Sequence, residues 1–264
     1  MRLESGATRY RVHKGWRAWP RPPVDLVSHM AVVCDDASTR TDIAQRLARQ
    51  QVQREGGLIW LDGWASAATE LLLENLARKS MPGASFWSVA AWRDARGSDV
   101  VLACDPLVLR KRLLERGVIY VGPDVIRSFH DTRNFVEQIL EGVLQGMALR
   151  RHSAQLLKPY MVVLDHCTPW LAASMSKRAQ DLLEQARESG VVLVGLFTGE
   201  DLAAEMNGHG PGLALQAGVL TVGRLRQFNW EAVFQHPLAA QGGLQAQQLA
   251  RMRGPASSLV VSAI

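Results

Sequence analysis

Cysteine and long apolar segments are scarce in this sequence. Its 264 residues include three cysteines, Cys34, Cys104 and Cys167, which lie far apart and show no C-x-x-C spacing. This argues against a disulfide framework and a structural zinc site, and it suits a reducing compartment. No apolar run approaches the roughly 20 residues of a membrane span, and charged residues stand at the start where a signal peptide would be apolar. We therefore expect a cytoplasmic protein, which reaches the inner membrane only if partners recruit it.

Acidic residues are rare in the first 28 positions, where basic residues are frequent. The chain has a net charge of +5, and only Glu4 and Asp25 oppose six basic side chains in this segment: Arg2, Arg9, Arg11, Lys14, Arg17 and Arg21. Consecutive X-Pro steps at Trp19-Pro20-Arg21-Pro22-Pro23 favour extended backbone. The sequence thus predicts a basic, proline-containing arm at 1–28 and one domain at 29–264. Such an arm is typically solvated, and it could also contact DNA phosphates or an acidic partner.

Short apolar runs alternate with helical periodicity along the rest of the chain. Strands are predicted at 30–34, 58–61, 86–90, 118–121, 160–164, 191–197, 220–222 and 259–262, and helices at 38–52, 65–79, 105–116, 131–151 and 171–189. Ser38 or Thr39 is predicted as the N-cap of the first helix. Strands that are apolar on both faces and separated by helices indicate an α/β fold, with a mostly parallel sheet flanked by helices on both faces.

The segment from Cys34 to Thr41 joins the first strand to the first helix, as a phosphate-binding loop does. Such a loop has the form G-x-x-x-x-G-K-[ST], in which backbone N–H groups wrap a phosphate, the lysine reaches the outer phosphates and the hydroxyl binds magnesium. In that frame Cys34 and Thr39 stand at the glycines, Arg40 at the lysine and Thr41 at the hydroxyl. The candidate nucleotide-binding residues are therefore Ser38, Thr39, Arg40 and Thr41.

The chemistry of this segment departs from that frame. Both glycines are missing, so the loop has lost its access to positive φ angles. Asp35 and Asp36 also stand where a polyphosphate would lie, and like charges repel. From these residues alone, the segment is an ordinary strand-to-helix connection.

A second candidate lies where the apolar run Tyr160 to Leu164 ends in Asp165 and His166. An acid at this point of a nucleotide-hydrolysing site holds magnesium, and a following glutamate polarises the attacking water. Asp165 would hold the metal together with Thr41, and His166 replaces the glutamate as a potential proton acceptor. Asp165 and His166 are thus the candidate catalytic residues. The alternative is that Asp165 caps the next segment and His166 is a surface residue.

A third strand end, after Val191 to Phe197, carries Thr198. Ligands of open parallel sheets bind beyond the carboxyl ends of the strands, so Thr198 is a sensor-like candidate facing the same pocket. A helix N-cap is the simpler interpretation.

The order of these features resembles the FtsK/HerA superfamily, and within it the conjugative coupling ATPases of the TraD/TraG type from type IV secretion systems. The resemblance covers about residues 19–225 and rests on five segments: 19–29 before the first strand, Gly56 to Gly63, Gly117 to Val121, Lys158 to Asp165, and Leu183 to Val191. It implies a RecA-like P-loop NTPase fold. The departures include the broken loop consensus, His166 in place of the glutamate, no clear sensor glutamine and no transmembrane anchor.

Three functions follow from this resemblance and its departures. The first is a degenerate, ATPase-deficient subunit that is structural or regulatory in conjugative DNA transfer or type IV secretion, with secretion or conjugation ATPase subunits and DNA as partners. It would need no cofactor. The second is an active, divergent ATPase that uses ATP and magnesium to drive DNA or protein translocation, with Arg40 in place of the lysine. The third is a non-catalytic DNA-binding or scaffold protein on the same fold.

Overall fold

The computed structural model describes residues 10–14, 28–53, 56–63, 67–80, 85–89, 117–122, 141–146, 148, 160–165, 177–207, 212–241, 243–250 and 259–263. The strands among them are β1 (Tyr10–Lys14), β2 (Met30–Val33), β3 (Gly57–Asp62), β4 (Ser85–Val89), β5 (Gly117–Val121), β6 (Tyr160–Asp165), β7 (Val191–Phe197), β8 (Val219–Val222) and β9 (Leu259–Ala263). The helices are α1 (Ala37–Gln53), α2 (Ala67–Ser80), α3 (Lys177–Glu188), α4 (Gly199–Asn207), α5 (Leu213–Gln216), α6 (Trp230–Gln235), α7 (Pro237–Gln241) and α8 (Ala246–Ala250). A 3-10 turn spans Gln227–Asn229, and residues 141–146 are also helical.

The nine described strands form one sheet in the order β1-β9-β8-β2-β7-β6-β3-β5-β4. The seven strands from β8 to β4 in this order are parallel, and β9 is antiparallel to both β8 and β1. Parallel neighbours need crossover connections, which is why helices alternate with strands along the chain. The sheet places β7 between β2 and β6, so the strand ends that carry the three candidate sites are adjacent.

Alternate residues of each strand pack into separate cores on the two faces of the sheet. In β2, Ala31 and Val33 belong to one core, and Met30 and Val32 to the other. Helices α3 and α4 cover the first core with Leu182, Leu183, Ala186 and Leu202, whereas α1 and α2 cover the second with Ile43, Leu47, Leu73 and Ala77. The predicted α/β architecture, a mostly parallel sheet with helices on both faces, is confirmed.

The eight predicted strands are all present, and each boundary is within one residue of its prediction. The helices predicted at 38–52 and 65–79 are α1 and α2, and the one predicted at 171–189 is described from Lys177 onward. Of the helix predicted at 131–151, residues 141–146 and 148 are described and helical. The helix predicted at 105–116 lies outside the described residues.

Strand β1 lies inside the segment predicted as a basic arm. It pairs with β9 at the far end of the chain, with Tyr10 opposite Ala263 and Lys14 opposite Leu259. Only Tyr10 and Val12 give this segment an alternating apolar pattern, and such a short pattern does not reveal a partner so distant in sequence. The boundary between an arm and a domain near residue 28 stays a prediction. Among the described residues, no helix is long and apolar enough to cross a membrane.

Candidate functional site

The candidate site lies at the carboxyl ends of β2, β7, β6 and β3, which are neighbours in the sheet. Residues after β2 form a short connection to α1, Thr198 follows β7, and Asp165 and Asp62 end β6 and β3. The structure therefore brings together the described residues of all three predicted sites. His166 lies outside the described residues.

The connection between β2 and α1 is only three residues long, from Cys34 to Asp36, because α1 begins at Ala37. Ser38, Thr39, Arg40 and Thr41 therefore belong to the helix, not to a loop. A phosphate-binding loop needs backbone that curves around its ligand, and three residues leave little length for that. The helix begins this early because Asp36 caps it.

Asp36 is the N-cap of α1, which corrects the prediction of Ser38 or Thr39. Its Oδ1 accepts the backbone N–H of Thr39 at 2.7 Å and the hydroxyl of Ser38 at 2.8 Å. These bonds lower the pKa of Asp36 to about 2, with the Thr39 and Ser38 hydroxyls and then the Thr39 N–H as the main causes. A carboxylate suits this position better than the hydroxyl of Ser38 or Thr39, because its negative charge interacts favourably with the partial positive charge of the helix start. The helix end that would face a phosphate thus already holds an anion of the protein itself.

The remaining backbone of the connection is bonded to neighbouring segments. The Cys34 N–H donates to the Phe197 carbonyl at 2.9 Å, and the Asp35 N–H donates to the Arg224 carbonyl at 3.0 Å. Within α1, the Arg40 N–H donates to the carbonyl of Asp36 at 3.0 Å. Together with the Thr39 N–H, four of the seven N–H groups of residues 34–40 therefore have acceptors inside the protein.

Asp35 binds donors from two distant segments. Its Oδ1 accepts the Gly199 N–H at 2.8 Å, and its Oδ2 accepts the Arg226 N–H at 2.6 Å and the Asn229 side-chain amide at 2.9 Å. This carboxylate thus ties the start of α4 and the segment after β8 to the end of β2. All three donors are uncharged, so they stabilise the negative charge of Asp35 without removing it.

Arg40 is 3% exposed, and its guanidinium folds back over the end of β2. Its Nη1 donates to the Cys34 carbonyl at 2.5 Å, while its Nε is buried without a hydrogen-bond partner among the described residues. Arg40 contributes positive charge to the interior of the site, and this charge lowers the pKa of Asp165. Burial has the larger effect on that pKa and raises it. Thr41 lies one residue further along α1 and is half-buried.

Asp165 lies beside a second acid that the sequence analysis did not select. Asp62 is its cross-strand neighbour at the end of β3, and Asp62 Oδ2 accepts the Tyr120 hydroxyl at 2.8 Å. Burial, and then the charge of Asp62, raise the pKa of Asp165 to about 7. Burial and Asp62 also raise the pKa of Tyr120. The rule that selected Asp165, an acid directly after a buried apolar run, would have found Asp62 as well.

Thr198 is the N-cap of α4. Its hydroxyl donates to Asp201 Oδ2 at 2.7 Å, its own N–H donates to the same oxygen at 2.8 Å, and the Asp201 N–H donates to the Thr198 hydroxyl at 3.0 Å. This reciprocal pattern is a capping box. Among the described residues, no group of three or more histidine, cysteine or acidic side chains is placed to hold a metal ion.

The strand order and the helical covering of both faces define an α/β protein with the P-loop NTPase fold. Solved structures of a viral DNA-packaging enzyme share this fold. The DNA-packaging ATPase B204 of Sulfolobus turreted icosahedral virus matches with a TM-score of 0.54 at 9% identity, over 89% of this chain and 92% of that one. The genome packaging NTPase B204 of Sulfolobus turreted icosahedral virus 2, in complex with AMPPCP, matches with a TM-score of 0.51 at 9% identity, over 86% and 87% of the two chains.

No protein-family model and no curated protein sequence matches the chain. At 9% identity, the structural similarity shows the fold alone.

Proposed function

We propose that this chain is a non-hydrolysing, structural or regulatory subunit of a DNA-transfer machine of the conjugative, TraD/TraG-like type. One observation carries the proposal: both carboxylates of the connection between β2 and α1 accept hydrogen bonds from the protein's own groups. The Asp36 carboxylate caps α1, and the Asp35 carboxylate accepts hydrogen bonds from Gly199, Arg226 and Asn229. A nucleotide phosphate would have to displace two carboxylates that are already bonded, and it would meet their charge.

The position of Arg40 supports the same proposal. The lysine of a working loop is a mobile, compact charge that reaches the outer phosphates. Arg40 is instead buried, and its guanidinium donates to the carbonyl of Cys34. This hydrogen bond stabilises the strand-to-helix connection. The secretion or conjugation partners of this chain would be active ATPase subunits of the same fold. The structural neighbours are named as DNA-packaging enzymes, which is consistent with a role in DNA transfer.

Titration of the purified chain with a fluorescent ATP analogue and magnesium tests this proposal. We expect no saturable binding at micromolar protein and no phosphate release. The wild-type chain is compared with Arg40→Lys, which keeps the charge, and with Asp35→Asn, which reduces the repulsion without removing the side chain. Saturable, magnesium-dependent binding by the wild-type chain that Arg40→Lys retains would overturn the proposal.

An active, divergent ATPase is the second candidate, and the acid pair of Asp62 and Asp165 favours it. Ionisable groups with strongly shifted pKa values are frequent at catalytic sites, and Asp165 has such a pKa beside Arg40. In this case Asp165 would hold magnesium together with Thr41, and His166 would accept a proton. The same titration separates the two candidates, because this one requires magnesium-dependent binding that Asp165→Asn abolishes.

A further inference from the structure

The segment after β8 carries an unusual set of exposed side chains. Arg224, Arg226, Gln227 and Phe228 are all exposed, whereas Leu225 and Asn229 are 9% and 5% exposed and point inward. Phe228 is 66% exposed, and Leu71 on α2 is the other large apolar side chain exposed within the described residues. We refer to residues 223–229 as the arginine loop.

The backbone of the arginine loop is held in place from both ends. The Gly223 N–H donates to the Val33 carbonyl at 2.8 Å, and the Arg224 carbonyl accepts the Asp35 N–H at 3.0 Å. Asp35 Oδ2 then accepts the Arg226 N–H and the Asn229 amide, and the Asn229 N–H donates to the Arg226 carbonyl at 2.9 Å. The loop is therefore ordered before any partner arrives, which reduces the entropic cost of binding.

No acid of the described residues pairs with either of the two arginine side chains of this loop. Within the described part of the chain, the ion pairs are those of Arg46 with Asp42 and Arg78 with Glu74, and neither Arg224 nor Arg226 takes part. Asp35, the nearest acid along these contacts, is bonded to the loop backbone and to Asn229. Arg226 has extended backbone angles, φ −66° and ψ 145°. Arg224 and Arg226 are both exposed and are separated by a single buried residue, Leu225, so two cations lie close together on this surface and are accessible to phosphates.

We propose that the arginine loop binds single-stranded DNA, with Arg224 and Arg226 on the phosphates and Phe228 stacked on a base. Exposed cations interleaved with an aromatic ring are the combination that such binding uses. The ring needs an unpaired base face, which a duplex does not offer away from its ends. The assignment to DNA rests on the proposed function in DNA transfer, while the chemistry of phosphates and base faces rests on the loop itself.

Fluorescence anisotropy with a labelled single-stranded oligonucleotide of mixed sequence, over a series of salt concentrations, tests the proposal. For Arg224→Gln with Arg226→Gln we expect weaker binding and a slope of log K against log salt that is smaller by about 1.4, since each phosphate contact contributes about 0.7 for single strands. For Phe228→Ala we expect affinity lower by about 5- to 150-fold with the salt slope unchanged, because stacking is not ionic. If these side chains had only a structural role, the arginine and phenylalanine variants would not differ in this way in affinity and in salt slope.

Two surface positions provide matched controls. Arg78→Gln removes an exposed cation from α2, and Leu71→Ala removes the other large exposed apolar side chain. Both should bind DNA as the wild-type chain does. Thermal unfolding followed by circular dichroism should show all variants folded, since the substituted side chains are exposed.

Each alternative outcome contradicts the inference in its own way. Unchanged binding by the arginine-loop variants, with loss only when arginines of residues 1–28 are replaced, would assign the DNA contact elsewhere. Equal affinity for duplex and single strand, or a Phe228→Ala variant that binds normally, would reduce the loop to a general polyanion site. Tighter binding of the matching RNA would overturn the assignment to DNA. Nucleotide binding, measured separately, decides the non-hydrolysing role independently of all these results.

Discussion

Asp35 and Asn229 are 194 residues apart in sequence, and the Asn229 side-chain amide donates to Asp35 Oδ2 at 2.9 Å. Asn229 also lies against Gly199, where an added Cβ would come within 2.4 Å of the Asn229 Cβ. The contact therefore joins the end of β2, the start of α4 and the arginine loop. It uses the carboxylate that would repel a nucleotide phosphate as a structural anchor for the same edge of the sheet.

Replacement of Asp35 by alanine should lower the free energy of unfolding by about 4 kcal/mol or more, because Asp35 accepts three hydrogen bonds and each hydrogen bond to a charged group contributes about 1.5 to 3 kcal/mol. Urea denaturation followed by circular dichroism measures this. Asp42→Ala is the matched control, since Asp42 pairs with Arg46 on the surface of α1. Such exposed pairs contribute about 0 to 1 kcal/mol. Equal effects at the two positions would contradict the anchoring role.

The partnership with Asn229 can be measured separately. Asn229→Ala should be destabilising by itself, and the double variant with Asp35→Ala should be more stable than the sum of the two single losses implies. Residues in direct contact commonly show coupling of about 0.5 to 3 kcal/mol. If the losses in free energy of unfolding are additive, the contact between Asp35 and Asn229 does not contribute to stability.

Asp36 should stabilise the chain through its cap, in a manner that depends on pH. Loss of an N-cap costs about 1 kcal/mol, so Asp36→Ala should be less stable than the wild-type chain by about that amount at pH 7. The pKa of Asp36 is lowered from its ordinary value to about 2. Its contribution is therefore fully present above about pH 4 and is lost as the pH falls towards 2.

Asp36→Asn is the control for this prediction. Asparagine is an equally good N-cap residue but does not titrate, so this variant should stay near wild-type stability at pH 7. Urea midpoints at pH 7 and pH 3 should show a smaller decline for Asp36→Asn than for the wild-type chain. The same decline in both proteins would show that other groups cause the acid sensitivity.

The fold could be predicted from this sequence because its strands are buried on both faces. Runs such as Met30 to Cys34 and Val191 to Phe197 are continuous apolar segments, and the segments between them have apolar residues at helical spacing. Strand β1 was missed for the opposite reason: it is a short edge strand with two apolar residues, and its partner is formed by the last residues of the chain.

The candidate site was only partly predictable. The sequence indicates the strand ends, and this predicts that Asp165, Thr198 and the residues after β2 lie at the same edge of the sheet. It does not indicate which donors meet which carboxylate. The bonds of Asp35 to Gly199 and Asn229 depend on strands β2, β7 and β8 being neighbours, and that order is a property of the folded sheet.

The pairing of β1 with β9 affects how the basic N-terminal segment should be tested. Deletion of residues 1–14 would remove β1 and expose the β9 edge, and open sheet edges promote association between molecules. We expect this deletion to lower the urea midpoint and to produce larger species in light scattering. Arg11→Gln with Lys14→Gln should do neither, since glutamine keeps the backbone pairing. A deletion as stable and monodisperse as the wild-type chain would contradict the structural role of β1.

Neutralisation of Asp165 should stabilise the chain at alkaline pH. Its folded pKa of about 7 lies above the ordinary value of 3.8, so the folded state holds a proton that the unfolded chain releases. The contribution of Asp165 to stability is greatest below about pH 4 and is lost as the pH rises through 7, by roughly 4 kcal/mol in total. Asp165→Asn keeps the shape and removes the titration. Urea denaturation should therefore show the variant more stable than the wild-type chain at pH 8 and similar to it near pH 4. If the difference between Asp165→Asn and the wild-type chain does not change between pH 4 and pH 8, the buried acid pair is not the source of the pH dependence.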